Sequence, residues 1–248
     1  MKEYREEKFE IQDVISDGFG KLHPAGLLYF FQETASRHCE ELEVDGEKIN
    51  GLFWAVLRYR VEIERMPEVG ETITVKTWPL PTTKVAFPRA AAGYDEKGNV
   101  CFRLISLWVL MDKETRELVL PAKSGVTVEG SFLGEELQVP PGLKVRPTNH
   151  QFIRTVTKQE LDKNMHMNNT RYLDWAYNLL SEDFRKNHRL KSFTACYFSE
   201  ARLYQELNLC WSLSPEGVFF ADSYRRTGSP QETGDRVFST QMEFDSIM

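Results

Sequence analysis

The sequence predicts an α+β protein made of two similar halves, each a long helix wrapped by a curved antiparallel sheet. Three observations carry this. The order strand, helix, strands runs through the chain twice. A shift of 143 residues lays His23 on His166 and Tyr29 on Tyr172, and a shift of 140 lays Phe53 beside Phe193 and Ala55 on Ala195, which is the mark of an internal repeat. Between the halves, Gly130 to Thr148 holds Pro140-Pro141-Gly142 and Pro147 and has little periodicity, so it reads as a linker. The expected organisation is therefore 1–129, a linker at 130–148, and 149–248.

The elements follow in order. Phe9, Ile11 and Val14 suggest an opening strand with imperfect alternation. After His23-Pro24, the run Leu27 to Phe31 continues to about Leu42 without turn residues, which favours a long buried helix. Leu52 to Ile63, Thr72 to Trp78, Val85 to Tyr94 and Cys101 to Met111 read as strands, with the turn cluster Asp95 to Asn99 between the last two. In the second half, Phe152 to Val156 is a strand. Asn168 or Asn169 can cap a helix running to about Leu180. Phe193 to Leu203, Leu207 to Leu213, Val218 to Tyr224 and Val237 to Phe244 complete the pattern as strands.

Bulk properties narrow the function. With 248 residues and 41% hydrophobic content, the chain can bury a sizeable core. A net charge of −6 argues against general nucleic-acid affinity. The charged start Met1 to Lys8 does not resemble a secretory signal, and no stretch approaches the ~20 apolar residues of a membrane helix, so a cytoplasmic protein is expected. Cys39, Cys101, Cys196 and Cys210 form no C-x-x-C pair, and the five histidines show no zinc-like spacing. Neither a metal nor a cofactor is expected.

The densest polar constellation is Leu161 to Thr170, between a strand and a helix. In an extended segment Asp162, Asn164 and His166 alternate and point to one side. A carboxylate, an amide and an imidazole together can orient, polarise and transfer a proton, and the helix start adds free N–H groups that suit an oxyanion. The competing reading is that Asp and Asn here only cap and turn the chain.

Asp162-x-Asn164-x-His166-x-Asn168-Asn169, followed by Tyr172 and Trp175, resembles the signature of the plant and bacterial acyl-acyl carrier protein thioesterases. Val61 to Pro67, Gly70-Glu71 and Val75-x-Thr77-Trp78 resemble the matching first-half stretch, so the likeness covers nearly the whole chain. It implies a tandem pair of hot-dog domains and release of fatty acids from acyl carrier protein. It also implies a further catalytic Glu on the strand after the second helix, which is Glu200 here. Some members carry Cys directly after this Glu; Ala201 stands there in this chain, so a thiol nucleophile at that position is excluded and water attack remains. Glu200, with or without His166, would activate the water; Asn164 and helix-start N–H groups would hold the oxyanion; Asp162 would orient Asn164 or His166. Which group takes the proton is left open.

Under the same shifts Asp162 falls on Phe19, Asn164 on Lys21 and Glu200 on Arg60, so only the His keeps a counterpart and the first half reads as acyl-binding but catalytically silent. The basic segment Arg185 to Lys191 is a solvated helix end or a docking site for the acidic carrier protein. The rival functions are a coenzyme A thioesterase, a hot-dog dehydratase and an acyl-binding module. Monomer and homodimer are both compatible with the sequence.

Overall fold

A computed structural model describes residues 3–162, 164–227 and 233–247. The chain divides into two compact units, Met1–Pro140 and Pro141–Met248, a boundary inside the proline-rich segment. The first unit contains β1 (Arg5–Glu10), α1 (Pro24–Glu41), β2 (Leu52–Ile63), β3 (Thr72–Pro79), β4 (Phe87–Tyr94), β5 (Val100–Asp112), β6 (Leu118–Val119) and the short turn of helix α2 (Pro121–Ser124). The second contains β7 (His150–Thr155), α3 (Asn169–Tyr177), α4 (Glu182–Asn187), β8 (His188–Tyr197), β9 (Glu206–Leu213), β10 (Val218–Arg226) and β11 (Thr233–Ser246). Among the described residues no helix is long and apolar enough to cross a membrane.

The strand order demonstrates the duplication. The first unit's sheet runs β1-β3-β4-β5-β2, with β6 on β5, and the second unit's runs β7-β9-β10-β11-β8. Replacing each strand by the one six places later converts one order into the other. Neighbours pair antiparallel, and register shifts at Val56/Arg58, Gly93/Tyr94 and Glu243/Phe244 mark bulges, which bend strands.

Several elements fall where the sequence placed them. β2 has the expected bounds, Leu52–Ile63. α1 buries Leu27, Leu28 and Phe31 completely, and Phe31 meets Tyr59 of β2 edge-on. Several elements differ from expectation, among them β8, which runs His188–Tyr197 where Phe193 to Leu203 was expected. The opening strand is Arg5–Glu10, and Val14 lies beyond it, 84% exposed, in a 3-10 turn. Its half-buried face alternates Arg5, Glu7 and Phe9, where Arg5 and Arg37 both pair with Glu7 and Phe9 stacks on Phe30 at 4.3 Å. Ion pairs stand where apolar side chains would have shown the period. The second helix is also shorter than expected. α3 stops at Tyr177, and Ser181 then caps a fresh helix by accepting the Phe184 N–H.

The halves align differently from the reading by identities. In the first unit Asp17 Oδ1 accepts the N–H groups of Phe19 (2.9 Å) and Lys21 (3.0 Å), with Gly20 at φ 73° and a bridge between Ser16 and Leu22. In the second, Asp162 Oδ1 accepts those of Asn164 (2.8 Å) and His166 (3.2 Å), with Met165 at φ 63° and a bridge between Leu161 and Met167. These are the same turn at a shift of 145, Asp17 onto Asp162. His23 and Asn168 are then both helix N-cap residues, and the counterpart of His166 is Lys21, not His23. The bridge of Lys21 to Glu68 matches that of His166 to Arg202, so Glu200 corresponds to Met66, not Arg60. Of Asp162, Asn164, His166 and Glu200, only the turn-building Asp has an identical counterpart in the first half.

Candidate active site

The motif segment is a tight turn, not the extended run that alternation implied. The Asp162 N–H bonds to the His166 carbonyl at 2.8 Å and the Met165 N–H to the Asp162 carbonyl at 3.1 Å. Asp162 therefore acts through the backbone: one carboxylate oxygen holds the N–H of Asn164 and of His166. Asn164 is exposed beside the tip. Asn168 caps α3, its Oδ1 accepting the Thr170 N–H at 2.9 Å and its carbonyl the Arg171 N–H at 2.9 Å. The cap leaves the Asn169 N–H unengaged by Asn168.

Glu200 does not lie on the strand. β8 ends at Tyr197, and residues 198–201 form the connection toward β9. Cys196, 2% exposed on β8, therefore shares no strand face with Glu200. Leaving the sheet brings the Glu200 carboxylate to the motif: Oε2 lies 3.2 Å from His166 Nε2. The imidazole is mostly covered, at 18% exposure, while the carboxylate is 39% exposed and reaches solvent.

The connection is held from several sides. The Ala201 N–H donates to the Tyr172 hydroxyl at 3.0 Å, and the Ala201 carbonyl accepts the Met167 N–H at 2.9 Å. Arg225 Nη2 donates to the Glu200 carbonyl at 2.9 Å. Burial pushes the Tyr172 phenol well above its usual value, the bond from Ala201 opposes this, and the charge of Glu200 adds to the rise; the hydroxyl stays neutral. Arg236 spans the buried carboxylate of Asp222, with Nε at 2.7 Å, and the carbonyl of Leu143 at 2.7 Å, and its guanidinium covers the Phe198 ring at 4.5 Å.

Glu160, which the motif reading passed over, ties the turn to the helix. This carboxylate is 7% exposed. It accepts from Trp175 Nε1 at 2.5 Å, Arg154 Nη2 at 3.0 Å, and the Thr157 N–H and hydroxyl at 2.7 and 2.9 Å. Its carbonyl also accepts the Asn168 N–H at 2.8 Å. The sequence carried a signal for it: Thr157-x-x-Glu160 has capping-box spacing.

The basic segment lies elsewhere in this unit. Arg185 and Lys186 end α4, while Arg189 and Lys191 open β8 and pair with Asp245 at 3.2 and 3.3 Å. Glu200 follows the opposite end of the same strand.

The polar geometry and the duplicated fold meet in the comparisons with known proteins. Residues 2–122 match the family model for the acyl-ACP thioesterase N-terminal domain, and residues 146–240 that for the C-terminal domain. A palmitoyl-acyl carrier protein thioesterase of Gossypium hirsutum is 29% identical over 191 residues, covering 70% of this chain and 46% of that protein. A dodecanoyl-[acyl-carrier-protein] hydrolase of Cinnamomum camphora is 27% identical over 196 residues, covering 71% and 51%. The chain thus spans about half the length of the curated relatives it matches. An acyl-ACP thioesterase structure from Bacteroides thetaiotaomicron shares the fold at a TM-score of 0.87 and 21% identity, covering 98% of both chains. The 12:0-ACP thioesterase of Umbellularia californica does so at 0.82 and 20%, covering 100% of this chain and 99% of that one. With both family models matched in order along two hot-dog halves, the chain belongs to the acyl-ACP thioesterase family.

Proposed function

We propose that this protein hydrolyses the thioester of fatty acyl-acyl carrier protein and releases the free fatty acid. The observation that carries this is the 3.2 Å approach of His166 Nε2 to Glu200 Oε2 in the half matched by the family's C-terminal model. Glu200 is the more exposed partner, so it meets the water and takes its proton, while His166 fixes the orientation of the carboxylate. The hydroxide attacks the thioester carbonyl. Asn164 and the Asn169 N–H stabilise the charge on the carbonyl oxygen, and collapse of the tetrahedral intermediate expels the carrier's thiolate. A thiolate leaves readily, so strong acid assistance is not required.

Hydrolysis of a panel of acyl-carrier esters, run against the same acyl groups on coenzyme A, tests the reading. The parent should prefer the carrier esters. Glu200→Gln and His166→Ala should each lower turnover by roughly 10²-fold. His23→Ala, at the helix cap of the other half, should stay within a few-fold of the parent. Normal turnover in folded Glu200→Gln would remove Glu200 as the base.

A further inference from the structure

The two halves build the same pair of adjoining turns. In the first unit the Gly70 N–H bonds to the Ile11 carbonyl and the Ile11 N–H to the Glu71 carbonyl, at 2.9 and 2.8 Å. In the second the Tyr204 N–H bonds to the Val156 carbonyl and the Val156 N–H to the Gln205 carbonyl, at 3.0 and 2.9 Å. Tyr204 thus occupies the place of Gly70, as Met165 occupies that of Gly20. All four residues have positive φ: 73° at Gly20, 85° at Gly70, 63° at Met165 and 65° at Tyr204. Glycine adopts this conformation freely, whereas large side chains are strained in it.

The non-glycine residues are also large, apolar and exposed, Met165 at 63% and Tyr204 at 68%. Core packing therefore does not explain them. Their position does: Met165 immediately precedes His166, Tyr204 lies two residues beyond Arg202, and His166 and Arg202 are bridged. The half without the His–Glu pair keeps glycine at both tips, and the half with the pair carries two exposed apolar side chains there. Backbone strain persisting at a chemical centre is a pointer to function.

We infer that Met165 and Tyr204 are substrate-binding residues that grip the carrier-side arm of the thioester where it enters from solvent. This rests on the hydrolase reading above. The acyl group is the part that must leave water, and the arm is the part that stays tethered to a soluble carrier. Met165, at the tip of the turn that carries His166, and Tyr204, at the tip of the turn bridged to it, are exposed and placed to meet the arm. Methionine and tyrosine offer adaptable apolar contact, and the tyrosine hydroxyl can also serve the arm's amides.

Glycine is the natural test residue, because the other half shows that both turns accept it. The Met165→Gly/Tyr204→Gly variant should raise the Michaelis constant for acyl-carrier esters roughly ten-fold, the scale of one or two lost apolar contacts, with kcat nearly unchanged. The constant for an acyl N-acetylcysteamine thioester, which lacks the carrier and most of the arm, should hold. The melting temperature should stay level or rise as strain is relieved. An unchanged constant for the carrier ester, equal weakening with the small thioester, or a fall in melting temperature would each overturn the inference. Glu200→Gln assayed alongside separates the two ideas: normal turnover there defeats the hydrolase reading, whatever the glycine variant does.

Discussion

Asp162 and Asp17 show how one side chain can be read both as chemistry and as architecture. Each holds two backbone N–H groups of the residues that follow, and only the second turn carries a histidine. The sequence displayed the Asp, Asn and His of the motif clearly, but it suggested a shared face rather than a shared turn. The coincidence of His23 with His166 pulled the repeat out of register by two residues, because identity was weighed where backbone bonding sets the equivalence. The role found for Asp162 predicts a split between substitutions. Asp162→Asn keeps the acceptor oxygen and should stay within a few-fold of parental kcat. Asp162→Ala frees both N–H groups, displaces His166 and should lose about ten-fold or more in kcat. Steady-state kinetics on both variants checks this; equal activity would show that His166 is held by other means.

At the scale of elements, strands with apolar alternation or continuous burial were legible, and those set by charge or by local bonding were not. β1 is hidden by its Arg5–Glu7 face. The end of β8 was placed too late, since Phe193 to Leu203 stays strand-like in composition while the chain leaves the sheet after Tyr197. That exit carries Glu200 to His166. On the other side of the site, α3 is anchored to the turn through Glu160, whose buried carboxylate gathers donors from three residues. Removing it strands the Trp175 and Thr157 donors in the interior. Glu160→Ala should cost about 3 kcal/mol of unfolding free energy, read from urea midpoints, more than an ordinary surface change. A loss below about 1 kcal/mol would mean that water replaces the carboxylate there.

For the molecule as a whole, duplication supplies two copies of one scaffold, and the close approach of His166 and Glu200 sits on one of them. The same strand order, turn and cap positions recur, while among the described residues the His–Glu pair is present in the second copy alone. Family and fold were legible because the motif is dense and the repeat spans the chain. The docking surface was not, because charge in a sequence has no address. β8 supplies one. Its ten residues, at about 3.3 Å each, separate Arg189 from the Glu200 connection by about 30 Å. A carrier protein seated on Arg185 to Lys191 would need a prosthetic arm long enough to run the length of that strand, and two of the cations it sought are already matched by Asp245. For the proposed hydrolase, reach rather than charge would then govern delivery. Reversing Arg185, Lys186 and Arg189 to Glu should leave the Michaelis constant for carrier esters and its salt dependence close to parental values. A marked rise confined to carrier esters would show that the arm spans the strand after all.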